Sequence, residues 1–482
     1  MKKAILLVLA AALLFPATQP NAQNRKPQTP AKKPARPSNL QIQKIVREIS
    51  AANIETTIKK LVGFGTRHSL SETESNERGI GAARRWIKSE FDRYNREASG
   101  RLQVEFDEFT QQPTQRIPKA TQLVNVVATL PGKQPESKDR IYVVSGHYDS
   151  CVCAQDTLDG KSDAPGANDD GSGTAAVMEI ARVMSKYEYD ATLVFMTVAA
   201  EEQGLNGSTH WAEMAKQKNL NIAGMITNDI IGSSRAEDGH IDRTHVRLFA
   251  GELPARGEIT PGIRALMEVG GENDSPTGQL ARHIKEIGEQ YVRPMNVTVI
   301  YRRDRYGRGG DHSPFLDRGI PAVRMTEPNE DLKHQHQKIR KENGIQYGDL
   351  PEFVDYNFIA QVARVNAAAL ASLALGPAAP TNVQLEASGS PSNAILRWDA
   401  SKEPDVTGYQ IVWRETTAPF WQNKVMAGNV TRYTVKGVSR DNYLFGVQAV
   451  DKDGNASVAV FPKPFRPPRR NEQSSPTESG NN

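Results

Sequence analysis

Residues 198–204 read Val-Ala-Ala-Glu-Glu-Gln-Gly, so two adjacent carboxylates, Glu201 and Glu202, close the apolar run from Leu193 to Ala200. Two like charges leaving a core element repel each other, and each must be held by something positive. Other chemically capable residues follow apolar runs in the same way. His147 and Asp149 come directly after Ile141-Tyr142-Val143-Val144-Ser145-Gly146, and Asn228-Asp229 comes after Gly224-Met225-Ile226-Thr227. The stretch Gly166-Ala167-Asn168-Asp169-Asp170-Gly171-Ser172-Gly173 is an acidic turn running into a helical pattern. Taken singly, each has a plain reading: a satisfied loop histidine, or an aspartate capping a helix. Taken together they are metal-ligand types, and carboxylates converging without cations would be electrostatically prohibitive.

The elements that must position them are legible as periodicity. Apolar β-rich runs occupy 122–130, 140–145, 192–200, 223–227 and 320–325. One helical pattern follows Gly173, with Val177, Ile180, Ala181 and Met184 on one face; another places Phe358, Val362, Val365 and Ala369 at helical spacing. The expectation for 39–375 is an α/β domain, a mostly parallel twisted sheet sandwiched by helices. In such sheets the ligand crevice lies outside the carboxyl ends of the strands, where His147, Glu201-Glu202 and Asp229 all fall. Residues 376–380, rich in Gly and Pro, read as a linker. In 381–465, Tyr409/Ile411/Trp413 and Tyr443/Phe445/Val447/Ala449 alternate with more exposed positions and no helix signal intervenes, which predicts a small all-β sandwich. With Trp398 and the run 441–451, this segment resembles a fibronectin type III domain.

Composition narrows the class. The 482 residues are 38% hydrophobic and 24% charged, enough to bury a large core. Seven of the positive charges lie in residues 1–38, which hold no acid; taking these seven from the formal +4 leaves −3 for the rest, so nucleic-acid binding is not supported. Met1-Lys2-Lys3 and the short apolar run to Phe15 read as a secretory signal peptide, taken as 1–22, followed by a basic Pro-rich linker or pro-segment at 23–38. The expected location is secreted or periplasmic. No later run reads as long enough to span a bilayer, so no stable membrane insertion is expected. The tail 466–482 is expected to be disordered.

The motifs His147-Tyr148-Asp149, Ala167 to Gly173, Glu201-Glu202-Gln203-Gly204 and Asn228-Asp229 stand in the same order as those of the co-catalytic zinc exopeptidases, which include bacterial leucyl aminopeptidases, glutamate carboxypeptidases and glutaminyl cyclases. Residues 40–375 resemble that family. The resemblance implies two Zn2+ ions: His147, Asp169 and Asp229 around one, and Asp169, Glu202 and a late histidine around the other, with Asp169 bridging. It implies Glu201 as general base, Asp149 as the residue orienting His147, and a cis peptide at Asp169-Asp170. For the late histidine, His336 is favoured over His334, although Gln337 and Arg340 stand where the family often has Thr and Asp. Gly310 to Phe315 resembles a segment that shapes the site, making His312 a buttress. Tyr306 is offered as an oxyanion stabiliser against the alternative of an exposed loop aromatic. Arg302, Arg303, Arg305 and Arg308 read as a solvated loop face, or else one of them grips a substrate carboxylate.

Cys151 and Cys153 suggest a disulfide in an exported protein, though one-residue spacing strains it, and zinc ligation by them is not needed. No Gly-x-Ser-x-Gly elbow supports a serine hydrolase. The resulting expectation is an exopeptidase acting on peptides or proteins, an aminopeptidase first, with a glutaminyl cyclase or carboxypeptidase as alternatives. The reading from another class is an inactive binding ectodomain, against which the retained Glu201 argues. The β module is expected to be a spacer or a binder of an extracellular surface or polymer.

Overall fold

The computed structural model describes residues 39–252, 259–387 and 390–465; the expected signal segment, basic linker and C-terminal tail lie outside these. Three helices come first, α1 (Leu40–Glu48), α2 (Ala51–Val62) and α3 (Gly79–Glu97). An eight-stranded sheet follows: β1 (Gln103–Gln111), β2 (Thr121–Leu130), β3 (Arg140–His147), β4 (Thr192–Val198), β5 (Asn221–Asn228), β6 (His245–Phe249), β7 (Asn296–Ile300) and β8 (Ala322–Thr326). Between and after the strands run α4 (Gly171–Met184), α5 (Asn206–Gln217), α6 (Pro261–Met267), α7 (Pro276–Tyr291), the single turn α8 (Ser313–Leu316) and α9 (Tyr356–Leu375).

The strand order is β1-β2-β4-β3-β5-β8-β6-β7. Its centre, β4-β3-β5-β8, is parallel, as is β6-β7, while β1-β2, β2-β4 and β8-β6 are antiparallel. The sheet is therefore mixed at its flanks and parallel where the chemistry sits. The parallel strands are covered on both faces, so β4 is buried at every position. Alternate residues feed two cores. Val144 and Phe195 face α4, α7 and α9, whereas Val143 and Val194 face Trp211 and Phe315 of α5 and α8.

Helix α4 is buried at every position but Arg182, and its first turn presses against the strand ends. A Cβ on Gly173 would lie 2.2 Å from the carbonyl oxygen of Asn228, so only glycine allows that approach. Helix α9 is long and apolar enough to cross a bilayer, contrary to the expectation for the later chain, but 83% of its apolar window is buried inside the protein. Its apolarity serves the core between α1, α4 and α7.

After a short hairpin, β9 (Arg340–Glu342) and β10 (Ile345–Tyr347), the C-terminal module forms two small sheets. Its strands are β11 (Gln384–Glu386), β12 (Ala394–Arg397), β13 (Val406–Glu415), β14 (Asn423–Gly428), β15 (Arg432–Val435), β16 (Tyr443–Asp451) and β17 (Lys463–Phe465). Trp398, Tyr409, Ile411, Phe445 and Val447 fill its core, and the Tyr409 hydroxyl accepts the Ser401 N–H at 2.6 Å. Buried ion pairs join the module to the larger domain: Asp274, paired with Arg282 at 2.8 Å, accepts from Arg414 at 2.6 Å, and Arg140 meets Glu403 at 2.7 Å.

Candidate metal centre

His147 ends β3, Glu201 and Glu202 follow β4, and Asp229 follows β5, so three neighbouring parallel strands deliver them to one rim. Asp169 arrives from the loop before α4. Its Oδ1 lies 3.1 Å from His147 Nε2, and its Oδ2 lies 2.8 Å from His336 Nε2. Asp229 Oδ1 is 3.9 Å from His147 Nε2, and Glu202 Oε1 is 3.0 Å from His336 Nε2. Two nests of donors thus share Asp169, one oxygen each. Donor separations of about 3–4 Å suit a tetrahedral ion with bonds near 2 Å.

The charges make the same point. Burial, then the charges of Asp229 and Glu202, push the Glu201 carboxyl well above its usual range. Burial also raises Glu202, against the pull of His336. Burial would lower both imidazoles, but the carboxylates around His147 and His336 carry them well above their ordinary value. Glu202 Oε1 is buried without a well-formed hydrogen bond. Imidazole nitrogens and carboxylate oxygens in surplus negative charge are a donor set that fits zinc.

Surrounding residues fix these donors. Asp149 takes the N–H groups of Glu201 and Glu202 at 3.2 Å each through its two oxygens. His147 Nδ1 faces the Asp149 backbone carbonyl at 3.2 Å and its carboxylate at 3.5 Å. The Asp169-Asp170 peptide is cis. Asp170 ties three elements together by accepting from His147 N at 3.0 Å, Gly173 N at 2.9 Å and Ile230 N at 3.3 Å. Ala200, Ile230 and His336 all adopt positive φ, at 57°, 58° and 58°. For non-glycine residues, and for a β-branched one above all, that conformation costs energy, and here it falls beside or upon the donors.

Several contributors escaped the sequence reading. Asp349 accepts the Asn168 N–H at 2.8 Å and the Asp169 N–H at 2.7 Å, anchoring the bridging loop from a distant turn that carries no local signal. Arg67 is fully buried and donates to the carbonyls of Tyr148, Pro165 and Gly166 at 2.6, 2.6 and 2.9 Å. Arg324 holds Asp229 and Asp304, both at 2.9 Å, from the middle of β8. An arginine inside the apolar run Ala322-Val323-Arg324-Met325 was the available signal. Asp311 is buried beside the site, and burial pushes its carboxyl up to about 7.

The remaining candidates separate. His336 joins the centre, while His334 stacks on Phe353 with ring centroids 3.6 Å apart. His312 is buried and donates from Nε2 to the Arg303 carbonyl at 2.7 Å, bracing the arginine loop; burial holds its imidazole down to about 4. Tyr306 is corrected: it is 87% exposed, stacks on Arg302 at 4.1 Å and does not line the cleft, because the loop turns its ring to solvent. Cys151 and Cys153 form a disulfide, with Cys151 Sγ within 4.8 Å of donor atoms of Glu202 and His336. A cleft of about 570 Å3 opens over Asp169, Glu201, Glu202, Asp229 and His336.

A helix-covered α/β sheet with histidine and carboxylate donors at its carboxyl rim defines a metal-dependent hydrolase. Residues 125–358 match Peptidase family M28, and residues 378–461 match the Fibronectin type III domain. The chain is 47% identical over 429 residues to a probable zinc metalloprotease of Pyrenophora teres f. teres, covering 89% of this chain and 88% of that one. A probable zinc metalloprotease of Leptosphaeria maculans is 46% identical over 424 residues, covering 88% of this chain and 97% of that one. The chain belongs to peptidase family M28, as a zinc metallopeptidase carrying a fibronectin type III domain. LapA of Legionella pneumophila shares the fold, with a TM-score of 0.50 and 19% identity over 69% of this chain and 76% of that one.

Proposed function

We propose that the protein is an exported aminopeptidase working with two zinc ions. His147, Asp169 and Asp229 would hold one, and Asp169, Glu202 and His336 the other. The observation that carries this reading is the sharing of Asp169 between the two histidine-centred nests, with Glu201 beside them. Zinc bound there lowers the pKa of water towards about 7 and polarises a carbonyl. Glu201 accepts the proton of the attacking water at its carboxylate and hands it to the leaving amine nitrogen. Asp149 keeps Glu201 and Glu202 in place through their N–H groups and fixes the tautomer of His147. Asp349, Asp170 and Arg324 hold the loop and strand ends so that donors from distant parts of the chain meet in register.

Within the family, the choice of aminopeptidase rests on the motif resemblance to the leucyl aminopeptidases, and export on residues 1–22. Peptides are the substrates, and the complete donor set argues against a purely binding role. The test is an assay of the purified mature protein on aminoacyl-nitroanilides, N-blocked peptides and peptides with N-terminal Gln, before and after chelation with zinc added back. Zinc-restored cleavage of free-amine substrates alone supports the reading. Release of C-terminal residues from N-blocked peptides would reassign the enzyme as a carboxypeptidase, and ring closure of N-terminal Gln as a cyclase.

A further inference from the structure

The arginines of the loop differ in their partners. Arg302 stacks on Tyr306, and Arg303 pairs with Asp317 at 2.7 Å. Arg305 lines the cleft but is engaged by Asp304 at 3.1 Å and Glu330 at 2.6 Å. Arg308 also lines the cleft, yet its side chain is 37% exposed and its ion-pair contact is 3.8 Å from a Glu330 oxygen already held by Arg305. On another wall, Arg116 from the loop between β1 and β2 donates Nη1 to the Glu202 carbonyl at 2.8 Å. Among the described residues no carboxylate forms an ion pair with Arg116.

Two guanidinium groups with spare donors therefore share one cleft with Glu201, Glu202 and His336. The cleft is open and of mixed lining. Gly204, Gly307, Gly309 and Gln337 line it beside Leu205 and Ile230, and Leu332 is 58% exposed. An enzyme selecting Leu or Phe needs an enclosed apolar pocket, whereas this cleft presents charge and hydrogen-bond donors. Planar guanidinium groups match carboxylates in geometry and charge, and a charge-assisted pair is among the stronger polar contacts.

We propose that Arg308 and Arg116 bind a carboxylate of the substrate, so that the enzyme selects peptides carrying an acidic group beside the scissile bond. This deepens the peptidase reading of the same site and rests on it. The carboxylate has two chemical sources, an acidic side chain or the terminal α-carboxylate of a short peptide, and matched substrates separate them. One pair sets N-terminal Glu against N-terminal Gln in otherwise identical peptide amides. The other sets a dipeptide as free acid against its C-terminal amide.

With zinc-loaded full-length enzyme, the acidic member of at least one pair is expected to have a kcat/KM higher by about tenfold or more. The pair that responds names the source. Arg308→Gln is expected to bring that pair towards equal kcat/KM, chiefly by raising KM for the acidic member, and Arg308→Lys to restore part of the difference. Arg116→Gln is expected to act in the same direction, with zinc content measured alongside because Arg116 also holds the Glu202 carbonyl. Equal rates within both pairs, or a preference that survives both glutamine variants, would overturn the carboxylate proposal while leaving the peptidase standing. Absence of hydrolysis of all four substrates would instead remove the aminopeptidase reading beneath it.

Discussion

Glu201 and Glu202 are neighbours with different tasks, and the structure separates them by what each touches. Glu202 faces His336, whereas Glu201 makes no contact with either histidine at ion-pair distance. Replacing Glu201 with Gln is expected to lower kcat by about 10²- to 10⁴-fold, the usual worth of general acid–base catalysis. Metal content is expected to stay unchanged. Elemental analysis alongside steady-state kinetics checks both parts, and full turnover with full metal would refute the base assignment. His334 and His336 offer a sharper contrast. His336→Ala is expected to lose about one zinc per chain, since it removes a donor, while His334→Ala breaks a stack on Phe353 and a 3.7 Å contact with Asp331 and keeps its metal. Zinc stoichiometry after dialysis decides between them.

At the scale of elements, the donors legible in sequence were those at the ends of β3, β4 and β5. There an apolar run and its polar terminus lie within a few residues, so strand and ligand are announced together. The late histidine was legible only through resemblance, because it lies in a loop whose φ of 58° at His336 no periodicity reveals. Asp349 was illegible, being one acid in a turn far along the chain. The strands β1, β6 and β7 also went unread, since β1 has no fully buried position and β6 and β7 have five residues each. Removing the Asp349 carboxylate in Asp349→Ala frees the N–H groups of Asn168 and Asp169. Zinc affinity is expected to fall about 10- to 100-fold, the usual effect of losing such a support, as read by chelator competition.

The arginine loop carries a pH signature of its own. His312 is buried and neutral, with its imidazole held down to about 4 by burial against the partial relief of Asp304. The unfolded chain takes up that proton near 6.5, so it binds more protons than the folded state between pH 6.5 and 4. The His312 contribution to stability is therefore expected to fall as pH drops through this window, by about 3 kcal/mol at most. Denaturant midpoints of chelator-treated wild type and His312→Gln, compared at pH 7 and pH 4.5, isolate that contribution from the upward-shifted groups of the metal centre. In His312→Gln the loss is expected to shrink, because the titrating group is gone.

For the whole molecule, the sequence pointed to a linker at 376–380 and an independent module beyond it, but the joint is built from charges that periodicity does not register. Asp274 sits fully buried between Arg282 of the larger domain and Arg414 of the module, and Glu403 receives Arg140 across the same boundary. Gly376 and Ala378, inside the supposed linker, are themselves bonded into this joint through Arg140 and Glu403. A buried ion triad adds little net stability when whole but costs about 3–5 kcal/mol when one member is removed, because the survivors keep their charge in a dry setting. Asp274→Ala leaves two guanidinium groups facing each other and is expected to lose about that much. The two parts of the chain share the boundary, so the protein is expected to unfold in one transition, seen alike by tryptophan fluorescence in a Trp86→Phe, Trp211→Phe background, where Trp398, Trp413 and Trp421 of the module remain, and by far-ultraviolet circular dichroism dominated by the helices of the larger domain. In Asp274→Ala the fluorescence midpoint is expected to fall below the dichroism midpoint as the module releases first. Coincident, unshifted midpoints in the variant would show that the charges at the joint hold nothing together.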